Sequence, residues 1–211
     1  MAITKIPVHG ADITSTILAL LVPDYFDTYE ESETAGTYNL YKNSTLIATV
    51  TAYGQVVLKY NGGANSIYTV DPQYTLDYIY SCQNGLAFQF HYANEGTAIR
   101  AFLTKDNNGD PAIINMPITP ASPNSTQNAT AANHNSITTS SSLPYYINLP
   151  ASDVTSIAPI VLNDDYGSYC PNAYVMMYRQ SNAVQSTGVG EIIDIGGTKY
   201  ISNGGMALKD E

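Results

Sequence analysis

The 211-residue sequence has little charge, and basic residues are the scarcer sign. Only 12% of its residues are charged, about half of the share found in an ordinary soluble domain. Eight Lys and Arg stand against 18 Asp and Glu, which gives a formal net charge of −10. Nucleic-acid binding and polybasic membrane anchoring both need clustered positive charge, so the composition argues against both.

Cysteine and long apolar runs are also scarce. Cys82 and Cys170 are the only cysteines, too few for a disulfide framework, and we predict two reduced thiols. No stretch reaches the roughly 18 apolar residues that a membrane-spanning helix needs. The apolar run 13–22 is short, contains Thr and Ser, and has no cleavage site after it. We therefore expect no secretion signal and synthesis in a cytoplasm.

Residues that perform catalysis are few. The histidines are His9, His91 and His134, and none lies in a motif that places a nucleophile beside a base. The sequence has neither a G-x-S-x-G turn around a serine nor a phosphate-binding glycine loop. Asp164 and Asp165 are adjacent acids, which are more typical of a solvated turn than of a glycan-cleaving pair. We predict that the protein is not an enzyme and binds no cofactor.

One loop contains part of a calcium-binding pattern. Residues 106–110, Asp-Asn-Asn-Gly-Asp, place oxygen-bearing side chains at the first, third and fifth positions of an EF-hand-like loop. The pattern then fails, because Pro111 stands where glycine is required and Pro117 stands where a bidentate Glu belongs. Asn-Gly also favours a hairpin turn without any ion. We therefore predict a plain turn and no metal site.

What the chain does have is hydrophobic periodicity of two kinds. Residues 12–22 have helical spacing, with Asp12 placed to cap the start and Pro23 to end the helix. After residue 37, short alternating runs are separated by Gly- and Asn-containing turns, which is typical of antiparallel strands. The fold class we predict is mostly β, with an antiparallel sandwich-like or barrel-like N-terminal domain over 1–120 that includes helix 12–22.

The alternation also assigns side chains to faces of the predicted strands. Tyr74, Leu76, Tyr78 and Tyr80 are spaced two apart, so we expect them to share one face. In the next strand we expect one face to hold Leu86, Phe88, Phe90 and Tyr92. His91 is on the opposite face beside Gln89, where a solvent-facing residue would lie.

The composition changes in residues 121–142. This segment is rich in Ser, Thr and Asn and has neither a charged nor an aromatic residue. Because such a segment cannot build a core, we predict a linker or a long surface loop. Apolar runs and paired glycines then resume, which predicts a small β C-terminal domain over 143–211.

Residues 24–36 combine acids with aromatics and hold half of the net charge. Charge of one sign attracts a basic partner, and aromatic side chains anchor interfaces. The segment is thus predicted to be an exposed partner-binding arm, with a merely solvated acidic loop as the alternative. The predicted partner-binding residues are Tyr25, Phe26, Asp27, Tyr29, Glu30, Glu31 and Glu33.

The C-terminal runs 174–179, 190–197 and 198–204, rich in Tyr, Ile and Gly turns, resemble small β-rich structural proteins of tailed bacteriophages. The resemblance implies a non-enzymatic virion component at the capsid surface, neck or tail. It implies a homo-oligomer set by particle symmetry that binds its own copies and other virion proteins, without nucleic acid or membrane. The alternatives are a carbohydrate-binding or adhesive β-module and, third, a glycan-cleaving enzyme.

The prediction of a plain turn at residues 106–110 can be tested by metal removal. The melting temperature should be the same in EDTA and in millimolar calcium, because a turn closed by Asn-Gly needs no ion. Thermal unfolding in both buffers measures this, with a known EF-hand protein as the positive control. A calcium-dependent rise in melting temperature would overturn the prediction.

Overall fold

The computed structural model describes most of the N-terminal half and selected strands of the remainder. The described residues are 3–8, 13–52, 56–58, 67–68, 75–92, 96–105, 109–115, 126–132, 137–144, 156–159, 174–178, 189–195, 197–203 and 206–210.

These residues form one helix and seventeen strands, and every strand pair is antiparallel. The predicted mostly-β class with one short helix is confirmed. In chain order the elements are β1 (Thr4–Pro7), α1 (Ile13–Leu21), β2 (Thr28–Glu31), β3 (Tyr38–Lys42), β4 (Thr45–Val50), β5 (Val56–Leu58), β6 (Ile67–Tyr68), β7 (Thr75–Cys82), β8 (Gly85–Tyr92), β9 (Gly96–Lys105), β10 (Pro111–Asn115), β11 (Thr126–Ala132), β12 (Ile137–Pro144), β13 (Ser156–Pro159), β14 (Tyr174–Tyr178), β15 (Val189–Ile195), β16 (Thr198–Asn203) and β17 (Met206–Lys209).

The strands belong to three sheets. The central sheet has seven strands in the order β1-β7-β8-β9-β10-β11-β12. The N-terminal sheet has five strands, β2 to β6, in sequence order. The C-terminal sheet has the order β13-β14-β17-β16-β15, so β15 is at its edge and β17 is inside it.

The first core lies between one face of the central sheet, the N-terminal sheet and α1. Alternation along β8 places Leu86, Phe88 and Phe90 on this face, as the sequence predicted. The helix contributes the side chains that its spacing predicted to share a face. The fully or nearly buried members from the helix and the N-terminal sheet are Ile17, Leu18, Leu21, Leu40, Ile47, Ala48, Val50 and Val56.

The other face of β7, β8 and β9 is buried as well. Ala87 pairs with Phe102 and Gln89 pairs with Ile99, and all four side chains are buried. The C-terminal sheet covers this face, because its strands β15 and β16 lie against β9. The central strands are therefore covered on both sides, which corrects the prediction that Gln89 faces solvent; His91 is exposed as predicted.

A polar pair lies inside this second interface. Tyr80 donates its hydroxyl to Oε1 of Gln89 over 2.8 Å, and both side chains are buried. Gly190 on β15 has φ +74°, and a Cβ there would collide with the Tyr80 hydroxyl and with Oε1 of Gln89. The missing side chain lets the β15 backbone approach this pair closely.

The turn between β7 and β8 is joined to the end of β17 by hydrogen bonds. The Asn84 side-chain amide donates to the Lys209 carbonyl over 2.9 Å, and the Gln83 N–H donates to the Asp210 carboxylate over 3.2 Å. These contacts connect residues more than a hundred positions apart in sequence. The division into domains over 1–120 and 143–211 stays a prediction, but the two regions are packed together in the described structure.

Residues 121–142, expected to be a linker or surface loop, differ from that expectation where they are described. β11 pairs with β10 and β12 pairs with β11, so the segment extends the central sheet by a hairpin. A hairpin at a sheet edge is held by its ladder of backbone hydrogen bonds and needs no core of its own. The Thr-rich composition favours extended backbone and is compatible with this position.

A bulge changes the faces predicted for β7. The register shifts between Leu76 and Tyr78, so Leu76 lies opposite Phe90 while Tyr78 lies opposite Gln89. Leu76 consequently joins the first core, whereas Tyr78 and Tyr80 are on the other face. A β-bulge adds one residue to a strand and reverses the alternation beyond it.

The contact at Gly190 predicts a stability difference between two glycines of the same strand pair. Gly190→Ala and Gly197→Ala both place Ala at positive φ, which costs about 1 kcal/mol each. Only Gly190→Ala also forces a Cβ into Tyr80 and Gln89, so its free energy of unfolding should fall by about 1–3 kcal/mol more. Denaturant unfolding of both variants measures this difference.

Gly197 is the matched control, because no atom lies within 4 Å of a Cβ built there. Equal losses in the two variants would contradict the close packing of β15 on the central sheet.

Candidate functional site

Two of the predicted partner-binding residues are part of the core. After α1 the chain turns back, and the N–H groups of Tyr25 and Phe26 donate to the Leu21 carbonyl over 2.8 and 3.1 Å. Tyr25 is 7% exposed and Phe26 is fully buried. Burial raises the pKa of the Tyr25 hydroxyl. The prediction is corrected for these two residues, because buried rings cannot anchor a partner at the surface.

The rest of the predicted arm consists of the edge strand β2, the residue that leads into it and the turn that follows it. All four residues of β2 are exposed, and β2 is the outermost strand of the N-terminal sheet. Asp27, just before it, accepts the Asn43 N–H over 2.7 Å and lies 3.6 Å from the Lys42 ammonium. We call the five exposed predicted residues the β2 surface: Asp27, Tyr29, Glu30, Glu31 and Glu33.

Tyr29 lies at the margin of the first core. It pairs with Leu40, which is fully buried, so the Tyr29 ring lies on the core side of the sheet. Its ring meets the ring of Tyr38 edge to face, with centroids 5.8 Å apart. Tyr29 nevertheless remains 48% exposed, because no further strand flanks β2 among the described residues.

The acids of β2 are oriented by neighbouring groups. Tyr41 donates its hydroxyl to the Glu30 carboxylate, and this hydrogen bond raises the pKa of Tyr41. The Gly36 N–H donates to the Glu31 carboxylate over 3.5 Å. Glu30 and Glu31 point to opposite faces of the sheet, since they are consecutive in a strand. The β2 surface is therefore acidic on both sides of its backbone.

A second exposed apolar side chain lies at the edge of another sheet and was not predicted as a site residue. Ile192 on β15 is 50% exposed, and β15 is the outermost strand of the C-terminal sheet. The sequence does contain a signal, because an alternating strand pattern puts one of two consecutive isoleucines on the face away from the core.

The described cysteine and the described histidine lie far apart. Cys82 and His91 are at opposite ends of the β7–β8 pair, because Cys82 pairs with Gly85 and Thr75 pairs with His91. About six residue steps along β8 separate them, which is roughly 20 Å. The Nδ1 atom of His91 lies 3.9 Å from a carboxylate oxygen of Asp77, and the Asp77 side chain is partly exposed.

Cys82 is a free thiol in a protected position. Its sulfur donates to the Gly85 carbonyl at 3.3 Å, and the Lys209 carbonyl lies at 3.8 Å. Burial raises the pKa of this thiol to about 11. The prediction of a reduced thiol agrees with this structure for Cys82, while Cys170 lies outside the described residues.

Several other predicted positions also lie outside the described residues. They are His9, Asp12, residues 106–108, His134, Asp164 and Asp165. Within the described ranges no three His, Cys, Asp or Glu side chains are grouped so as to hold a metal ion. In the same ranges, no helix has the length and apolar character required to cross a membrane.

Comparisons with protein-family models, with curated proteins and with solved structures gave no match for this chain.

The raised pKa of Cys82 predicts a loss of stability at alkaline pH. The folded state favours the protonated thiol, so this contribution is complete below pH 9, the ordinary pKa of 9.0, and is lost as pH rises through about 11. The free energy of unfolding should therefore fall more steeply between these values in the wild type than in Cys82→Ser. Denaturant unfolding at several pH values measures the two slopes.

Cys82→Ser keeps a hydrogen-bond donor for the Gly85 carbonyl and does not ionise in this range. Burial raises the pKa of Tyr25 in both proteins, and the Cys82 charge adds to this rise in the wild type, so the difference in slope reports Cys82 together with its coupling to Tyr25. Parallel pH profiles would contradict the burial of the Cys82 thiol.

Proposed function

We propose that this protein is a non-enzymatic structural component of a bacteriophage virion, at the capsid surface, neck or tail. In this proposal it is made in the host cytoplasm and joins the particle through contacts with its own copies and with neighbouring virion proteins. The resemblance of residues 174–204 to β-rich structural proteins of tailed phages supports the bacteriophage part of the proposal.

One observation carries the assembly part of the proposal. Among the described residues, the two large apolar side chains that are exposed are Tyr29 and Ile192, at 48% and 50%. Each lies on the outermost strand of a different five-stranded sheet. An edge strand offers unpaired peptide groups, and an apolar side chain there adds area that a neighbouring protein can cover.

The stacking of the sheets explains why contacts would use edges. The central sheet is covered on one face by α1 and the N-terminal sheet and on the other by the C-terminal sheet. Both faces of the central strands are therefore used by internal packing, and the open edges of the two flanking sheets are places where neighbours can bind. Low overall charge is compatible with a surface that other proteins cover.

The proposal predicts that the edge residues control assembly without controlling folding. Tyr29→Ser should weaken association with particles about tenfold or more, and Ile192→Ser should do the same for association with particles or copies, as expected when an interface anchor is truncated. The melting temperature should change little, because both side chains are about half exposed. Co-sedimentation with purified particles and analytical ultracentrifugation measure the association.

Thr45→Ser is a matched control, since Thr45 is exposed on a strand inside the N-terminal sheet. A strictly monomeric wild type with no particle association would refute the proposal. Binding of a glycan by the single purified chain would instead favour the adhesive alternative, and substrate turnover would favour an enzyme.

A further inference from the structure

We propose that the β2 surface docks a basic, extended segment of a different protein, which adds to the N-terminal sheet as a new antiparallel strand beside β2. This inference rests on the proposed function, in that the partner is another component of the same particle. It goes beyond that function by stating how the partner binds and what chemistry its segment has.

The first support is the open backbone of β2. Among the described residues β2 pairs with β3 alone. In an antiparallel ladder about half of the peptide groups of such a strand point away from its single neighbour. All four residues of β2 are exposed, so those groups face solvent and can form a second ladder with an extended segment. Every described pair in this sheet is antiparallel, and we expect the new strand to continue that arrangement.

The second support is the position of Tyr29 at the margin of the core. Its ring is on the core side of the sheet and contacts Tyr38, yet half of its surface is open. A strand beside β2 would place every second side chain on that same side. An apolar side chain opposite Tyr29 would cover the ring and extend the first core by one strand.

The third support is the charge next to Tyr29. Glu30 and Glu31 follow it and point to opposite faces, so both of the next positions on an added strand lie opposite a carboxylate. Oppositely charged cross-strand pairs stabilise a sheet, whereas like charges destabilise it. Because an antiparallel strand runs the other way, the partner segment should read basic, basic, apolar from its N-terminal side.

The same charges argue against a second copy of this chain as the occupant. The sequence has eight Lys and Arg, and no two of them are adjacent. A second β2 would also bring its own glutamates to the edge. Charged side chains on an edge strand are a known protection against self-pairing. Here they would exclude copies of the chain at this edge and admit a basic segment.

A synthetic peptide tests the inference on the full-length protein. The probe is a ten-residue peptide with two adjacent lysines followed by a valine, flanked by threonines and labelled at one end. The control peptide has the same composition with the valine before the lysines. Fluorescence anisotropy should show the probe binding at least about fivefold more tightly than the control, since only one order matches the antiparallel register.

Variants locate the binding on the protein. Glu30→Gln with Glu31→Gln, and separately Tyr29→Ser, should each weaken binding of the probe at least about fivefold. Asp194→Asn is the matched control, because Asp194 is an exposed acid on β15, the outermost strand of the C-terminal sheet, on the other side of the central sheet. Its neutralisation should leave the affinity nearly unchanged, because stacked sheets lie about 10 Å apart, which puts β15 beyond the Debye length from β2 at physiological salt. Bound probe should also slow amide hydrogen exchange in β2.

Three results would overturn the inference: no binding of the probe, equal binding of both peptides, or equal weakening by Asp194→Asn and the β2 variants. In each of those cases the role of Glu30 and Glu31 would be confined to preventing self-pairing at the β2 edge. These outcomes are separate from failure of the proposed function. Particle association without probe binding contradicts the docking alone, whereas probe binding by a protein that never associates with particles contradicts the virion role alone.

Discussion

In the interface between the central and C-terminal sheets, the Tyr80 hydroxyl and the Gln89 side-chain amide are both buried. The Tyr80–Gln89 hydrogen bond satisfies both groups inside an otherwise apolar interface, where an unpaired polar group would be costly. The approach of β15 to this pair depends on Gly190, which has no side chain to intervene. The close packing of the C-terminal sheet on β7, β8 and β9 depends on this contact, and with it the burial of the second face of these strands.

That stacking decides what the molecule can offer to other proteins. Both faces of the central strands are used internally, covered by α1 and the N-terminal sheet on one side and by the C-terminal sheet on the other. The exposed apolar groups Tyr29 and Ile192 are then found at outer strands. Both groups have acidic neighbours in sequence, since Glu30 and Glu31 follow Tyr29, and Glu191 and Asp194 lie on either side of Ile192.

The sequence allowed the secondary structure to be predicted better than the layers. Alternation correctly placed Phe88 and Phe90 on one face, and helical spacing correctly placed Ile17 and Leu21 toward the core. Alternation shows which residues share a face but not what covers that face, so Gln89 was expected in solvent. A bulge adds a residue without a compositional mark, so Leu76 and the two tyrosines after it were assigned to one face. For the site, the exposed acids of β2 were predicted from charge, but the burial of Tyr25 and Phe26 depends on the chain turning back after α1, which no local pattern encodes.

Amide hydrogen exchange, compared between the isolated chain and the chain assembled in the proposed particle, tests the central claim most directly. The account predicts that assembly slows exchange in the outer strands β2 and β15 and leaves the already covered strands β7, β8 and β9 unchanged. Slower exchange confined to the central strands, with β2 and β15 unaffected, would contradict it. That result would mean that the stacked sheets open to receive their neighbours, and that the strand edges have no part in assembly.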